Sequence, residues 1–266
     1  MRVESPGSLK SFIEGVKRRD LWLYLADQII SSRFRNSKLG TLWLVLQNLA
    51  FSAGAGYIWS QIFHTDPRFF IPFVGVGFAV WGFIATCYVD GSFALVAAGG
   101  YLKQLPIPQS VFLIRYVLAH VIFMSVALAT ALATAFVLGV RMGWGSLYAI
   151  PGLLLVIVAM FGTVTTFSYL GARFRDVPHA LQSVFQFLFV LTPVIYSPDI
   201  LIKKGLGWAV YINPFNAFLD VVRTPIMYGT PATAISYGMA ALYIVVFTLS
   251  SVIIYRLSAS KLVYEL

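Results

Sequence analysis

Lys17-Arg18-Arg19-Asp20-Leu21-Trp22-Leu23-Tyr24-Leu25-Ala26-Asp27-Gln28-Ile29-Ile30-Ser31-Ser32-Arg33-Phe34-Arg35-Asn36-Ser37-Lys38-Leu39-Gly40-Thr41-Leu42-Trp43 places a cluster of positive charge directly before the first run able to cross a membrane. At about 100° per residue, Asp27, Ser31 and Arg35 make a narrow polar stripe, and Leu21, Trp22, Leu25, Ile29, Ile30 and Phe34 fill the wide remaining arc. Such a helix is too polar to span a bilayer and too apolar to stand alone in water. The expectation is a helix over about residues 10–36 lying in the interface plane, its basic residues near lipid phosphates or a cytosolic partner.

The rest of the chain agrees with a membrane setting. Its 266 residues are 59% hydrophobic and 11% charged, where soluble domains carry about a quarter charged residues. That length suits an all-α bundle of about six membrane helices with short connections. A net charge of +9 would also suit nucleic acid. The basic residues, however, gather at segment ends, as membrane orientation requires, so nucleic acid is set aside. The polar stretch Met1 to Lys10 shows no apolar core ending in a cleavage site, so no signal peptide is expected. Cys87, the single cysteine, rules out an intrachain disulfide and reads as a small buried hydrophobe.

Spans are expected at residues 40–63, 69–98, 111–140, 147–171, 179–196 and 232–255, within one transmembrane domain covering 1–266. Gly99-Gly100 and the prolines 106 and 108 break the chain, leaving a short inner-face segment over 100–109. Residues 198–229 alternate apolar pieces with Pro, Gly, Asp and Lys, and are read as two short helices at or dipping into the outer surface. With six spans both termini share one side. Fourteen Lys and Arg residues fall on that side and five on the other, which places both termini in the cytoplasm.

Catalytic and metal chemistry find little support. No glycine-rich phosphate loop ending in Gly-Lys-Ser/Thr occurs, so the chain is not expected to hydrolyse ATP itself. His64, His120 and His179 are dispersed and share no ligand spacing, so no metal is expected. His120 inside a span is read first as a residue hydrogen-bonded between helices and second as a proton relay. Asp90 is expected near inner headgroups, neutralised by Arg115 or Lys103; with His120 it makes the second reading a proton-coupled transporter. An integral membrane enzyme is poor for want of clustered acids or histidines. Aromatic residues, 16% of the chain, recur inside spans, and at helical spacing each reads as packing before it reads as a sugar-stacking surface.

Three patches resemble a known family. The first is Arg19-Asp20-Leu21 through Arg33-Phe34-Arg35-Asn36-Ser37-Lys38-Leu39-Gly40-Thr41-Leu42-Trp43, with Phe34 where a tyrosine is usual. The second is Leu102-Lys103-Gln104-Leu105-Pro106-Ile107-Pro108-Gln109-Ser110, where Gln104 and Gln109 stand for basic residues. The third is Arg173-Phe174-Arg175-Asp176-Val177, then Thr192-Pro193-Val194-Ile195-Tyr196, Asn213-Pro214-Phe215 and Arg223. In this order they are similar to the membrane permeases of polysaccharide-exporting type-2 ABC transporters, the O-antigen, capsule and teichoic acid exporters (Wzm-, KpsM- and TagG-like).

The resemblance implies a homodimer paired with two ATP-binding cassette subunits that bind ATP and Mg, in a bacterial inner membrane. It implies ATPase docking by Arg19 and Asp20 and by Leu102, Lys103, Gln104, Leu105, Pro106 and Pro108. It further implies an undecaprenyl-linked polysaccharide on an aromatic-lined path, for which Tyr57, Phe83, Phe167, Phe185, Phe189 and Tyr196 are the candidates. A gate would include Asn213, Pro214 and Arg223. Arg33, Arg35 and Lys38 would receive the lipid pyrophosphate, or serve only as topology signal and lipid headgroup contact. A type-2 exporter of a drug or small lipid is the alternative in the same class.

Overall fold

The computed structural model describes residues 8–266; Met1 to Gly7, the larger part of the stretch without a signal-peptide core, lie outside the described residues. The described residues form helices and connections, with no strand among them. The expected single helix over 10–36 is two, α1 (Leu9–Lys17) and α2 (Arg19–Phe34). Arg18 breaks them, its backbone at φ −78° and ψ 62° and its guanidinium donating to Glu14 Oε1 at 2.7 Å. Ser8 caps α1 by accepting the Ser11 N–H at 3.1 Å. On α2 the buried and half-buried side is Leu21, Trp22, Leu25, Ala26, Ile29, Ile30 and Phe34, while Asp27, Ser31 and Arg35 are exposed. The face read from periodicity is the face that packs.

Next come α3 (Leu42–Ile62) and α4 (Pro67–Val89). A 3-10 turn at Gly91–Phe93, α5 (Ala94–Ala97) and α6 (Gly99–Gln104) prolong the α4 line. Then follow α7 (Gln109–Val137), a 3-10 turn at Trp144–Tyr148, α8 (Ala149–Arg173) and α9 (Val177–Leu191). The last elements are α10 (Pro198–Lys203), α11 (Gly207–Tyr211), α12 (Pro214–Tyr228), α13 (Ala234–Ser258) and α14 (Leu262–Glu265).

Four stretches are long and apolar enough to cross a membrane: Pro67–Gln104, Gln109–Val137, Trp144–Arg173 and Ala234–Ser258. The two other expected spans fall short for different reasons. The 21 residues of α3 have the length but include Gln47, Asn48, Ser52, Ser60 and Gln61. The 15 residues of α9 reach only about 22 Å, against a hydrocarbon core of about 30 Å.

α4 is the central strut. Val74, Val76, Val80, Ile84 and Cys87 on it are inaccessible to solvent, and it touches α3, α7, α8, α9 and α12. Cys87 is thus the buried hydrophobe expected. A polar network crosses the apolar core, where the Tyr243 hydroxyl bonds to that of Tyr88 and lies 2.8 Å from Thr163 Oγ1, joining α4, α8 and α13. Burying these hydroxyls is tolerable because each finds a partner. α8 and α12 meet through Gly152, where an added Cβ would lie 2.1 Å from the Val221 carbonyl oxygen.

Chain direction gives the molecule two ends. The starts of α7, the ends of α4–α6, α8 and α13, and α1 and α14 share one end, which carries Lys17, Arg18, Arg19, Lys103, Arg173 and Lys261 and is called the basic end. α10, α11 and α12 lie at the other, where Ser146 before α8 meets the Ile226 carbonyl of α12 at 3.5 Å.

Candidate functional site

At the basic end, α1 closes directly over the start of α7. Ser110 Oγ donates to the Phe12 carbonyl at 2.9 Å, and a Cβ on Gly15 would stand 2.0 Å from the same Oγ and 3.0 Å from Pro108 Cβ. A side chain at position 15 would collide with those of Ser110 and Pro108 at this spacing. Phe12 then meets Tyr255 edge-on at 5.3 Å. The N-terminal helix pair and the connection before α7 are therefore one surface.

Within that surface Lys103, Gln104, Leu105 and Pro106 are exposed, as are Arg19 and Asp20. Leu102 and Pro108 are half-buried and anchor the connection, Leu102 against the core and Pro108 as the residue before α7. Gln109, a departure from the family's basic pattern, is buried. Its Nε2 donates to the Ala259 carbonyl at 2.9 Å and its Oε1 accepts the Tyr169 hydroxyl at 2.5 Å. This residue ties α7, α8 and the tail together and is out of reach of any docking partner. The tail, too, is held: Leu262 is fully buried and Leu266 covers Gly99.

α2 leaves this surface and packs along α7. Its end lies beside Phe123 of α7, over which the Arg33 guanidinium sits at 4.8 Å while the Phe34 ring packs edge-on at 6.3 Å. Ser110, covered by α1, and Phe123, covered by the end of α2, lie thirteen residues apart on α7, about 20 Å of rise, so the α1–α2 pair extends along α7. The apolar face of α2 is covered by the bundle, where Trp22, Leu25 and Phe34 find aromatic and apolar partners on α7 and the core.

A cavity of about 170 Å³ opens where α2, α3, α4 and α7 meet, lined by Arg33, Asn48, Phe83, Thr86 and His120 among others. Asn48 donates from Nδ2 to the Gly75 carbonyl at 3.5 Å, and its buried Oδ1 has no partner among the described residues. Of the three cations assigned to substrate loading, Arg33 alone is brought to this cavity; Arg35 and Lys38 are exposed outside it.

His120 is buried, its Nδ1 2.8 Å from the Tyr116 carbonyl and its ring stacked on Tyr116 at 4.1 Å. The expected bond between helices thus lies within α7. Asp90 ends α4 as an exposed residue, and neither Lys103 nor Arg115 pairs with it among the described residues. Arg115 is instead placed over Phe112 at 4.8 Å and Tyr101 at 5.9 Å.

The candidate path aromatics separate into groups. Phe167, Phe185 and Phe189 converge on Trp81 and Tyr88, with Phe185 4.6 Å from Tyr88 and Phe189 5.8 Å from Trp81. Phe185 and Phe83 are buried within the chain, whereas Tyr57 stands exposed on α3. Tyr196 folds back to donate to the carbonyls of Val190 at 3.0 Å and Leu191 at 3.1 Å.

At the other end, α12 is fastened to the Thr192-Pro193-Val194 turn. Asn213 caps α12, its Oδ1 accepting the N–H of Phe215 at 2.9 Å, while Nδ2 donates to Thr192 Oγ1 at 3.0 Å. Pro214 takes the first helical position, where its missing N–H costs nothing. Arg223, 3% exposed, donates from Nη1 to the carbonyls of Pro193 at 2.9 Å and Val194 at 3.2 Å and lies over the Phe73 ring at 4.0 Å. Asn213 and Arg223, two of the three residues for which the resemblance implies a gate, are thus both bonded to the turn after α9.

The ABC-2 type transporter family matches residues 20–227, from the start of α2 to the end of α12. The chain belongs to this family. Members are membrane transport components that work with an ATP-binding partner and are not themselves catalytic. Similar proteins include two O-antigen export system permease proteins RfbA of Klebsiella pneumoniae. One is 24% identical over 211 residues, 79% of this chain and 81% of its own. The other is 23% identical over 212 residues, 79% of this chain and 82% of its own. For an ABC-2 chain the docked basic end, the Arg33 cavity and the fastened α12 are the parts of interest, in place of a catalytic centre.

Proposed function

We propose that this chain is the membrane subunit of an ATP-driven exporter that carries a lipid-linked, O-antigen-like polysaccharide out of the cytoplasm. The observation that carries the reading is its similarity, along 79% of its length, to O-antigen export permeases. ATP and Mg belong to a separate pair of cassette subunits, which dock on the surface of α1, α6 and residues 105–108; the sequence has no phosphate loop of its own. In this reading the basic end is cytoplasmic, in the bacterial inner membrane, and α10–α12 form the outer gate.

The chain works as a homodimer. α3 and α9 expose Gln61, Gln182 and Gln186, groups that are costly against acyl chains. A second copy and the glycan path between the copies cover that face, so α3 and α9 complete six crossings without having to be apolar all round. Arg33, facing the cavity, and Arg35 receive the pyrophosphate of an undecaprenyl carrier.

Copurification with the cassette subunit, followed by ATPase assays with and without lipid-linked glycan, tests the reading. Glycan stimulation is expected, and Arg33→Gln with Arg35→Gln should reduce it about tenfold or more through lost charge-assisted bonds. A complex stimulated by drugs or short lipids but never by lipid-linked glycan would move the chain to the alternative exporter class. Stimulation unchanged in the double variant would remove the two arginines from the substrate.

A further inference from the structure

At the end away from the basic surface, α10, α11, α12 and the start of α13 enclose a cavity of about 430 Å³. Small-molecule sites span roughly 300–1,000 Å³. The cavity lies inside one chain, apart from the α3 and α9 face. Phe73, Ile202, Val210 and Met239 give it an apolar wall, and Tyr211 and Tyr228 add two rings.

Its polar side is built and fixed. Asp220 Oδ1 accepts from Thr224 Oγ1 at 2.5 Å and Oδ2 from Ser236 Oγ at 2.5 Å, so the carboxylate is held still with lone pairs to spare. Asp199 lies on the same lining. Arg223 spends Nη1 on two carbonyls, and its Nε and Nη2 make no hydrogen bond among the described residues. Asn216, another lining residue, is buried, donates from Nδ2 to the Val210 carbonyl at 3.2 Å, and has an Oδ1 without a partner among the described residues. Burial raises the Tyr228 phenol above its ordinary range, Arg223 draws it down in part and Asp199 raises it, leaving a neutral O–H donor.

Charge selects the ligand class. Two carboxylates disfavour an anion such as phosphate, and the buried guanidinium disfavours a metal ion or ammonium. A neutral ring whose hydroxyls each donate and accept satisfies carboxylate, guanidinium and phenol together, and its C–H face suits the apolar wall. We propose that this cavity binds a neutral pyranose unit. That the pyranose belongs to the exported glycan as it emerges rests on the function proposed above; the existence of the site does not.

The test uses the full chain in lipid nanodiscs, with saturation-transfer NMR of methyl α-glucoside, methyl α-mannoside and methyl α-galactoside, and with glucuronate as the anionic comparison. At least one neutral pyranoside should receive saturation, and glucuronate less. Asp220→Asn should weaken binding about tenfold, the worth of a charge-assisted hydrogen bond. Because Asp220 also braces Thr224 and Ser236, Ile235→Trp provides a second variant. Ile235 is 56% exposed on the rim, so a larger ring there fills the opening and deletes no polar group. Loss of the signal in Ile235→Trp, with an unchanged melting temperature, supports the site. No saturation of any of the three pyranosides, or equal saturation in Ile235→Trp, overturns it and leaves the cavity to lipid. Neither result touches the export reading, which stands or falls on the ATPase assay.

Discussion

Arg223 is an ion only 3% exposed, on the wall of the α10–α12 cavity, and taking a guanidinium from water costs several kcal/mol unless its N–H groups are bonded. Two carbonyls and the face of Phe73 meet that cost, and in exchange the cation pins the turn after α9 to α12. Arg223→Met, close in length and apolar, strands the carbonyls of Pro193 and Val194, and about 1–3 kcal/mol of stability should go with them. Thermal melting of the purified chain measures this; an unchanged midpoint would show that the turn holds without the cation. Arg223→Lys restores a charge but not the geometry that bonds two neighbouring carbonyls, and should recover only part of the loss. Single-residue roles were poorly legible beforehand for a physical reason. Gln109, read from the sequence only as a glutamine in place of a basic residue, is a buried tie, and this was hidden because its partners Tyr169 and Ala259 are distant in sequence and adjacent only in the fold.

At the scale of elements, the helix bounds were legible wherever charge or proline marks a membrane boundary. Thr41, Asp66-Pro67, Pro108 and Arg173 stand at helix ends in the structure, near where the charge pattern puts them. The packed face of α2 was legible from its period. The break at Arg18 was not, since Glu14, Lys17 and Arg19 are all compatible with a continuous helix and the break is set by α1 turning onto α7. The packing of the end of α2 on α7 was hidden for the same reason, its aromatic partner Phe123 being known only from the fold. Gly15 is where that docking can be tested. Gly15→Val forces α1 away from Ser110 and Pro108, at an overpacking cost of about 1–3 kcal/mol. The expected outcome is faster proteolysis at Lys17-Arg18 and weaker copurification of the cassette subunit, with α3 to α13 still folded by circular dichroism. Normal copurification in a chain whose α1 is released would place the docking on residues 103–106 alone.

At the scale of the molecule, the distribution of exposed polar groups says which side meets lipid. The outward face of α13 is Leu242, Val245, Val246, Leu249 and Ile253, and only 11% of its most apolar window is buried within the chain. It needs no protein cover. α3 and α9 are neighbours, joined by Phe51 and Phe189 at 6.3 Å, and both turn glutamines outward. A lone copy whose α3 and α9 crossed a bilayer would set those amides against hydrocarbon. In the proposed homodimer the two copies should therefore meet across this face. Gln186→Cys, placed on the outward side of α9, is expected to give a dimer band with a short bismaleimide in native membranes, while Leu249→Cys on α13 gives none; native Cys87 is fully buried and should contribute no background. The reverse pattern, with α13 cross-linking and α9 silent, would turn the molecule around. It would leave α3 and α9 facing a different polar partner, such as the glycan or a further subunit, and would move the path out of the interface between copies.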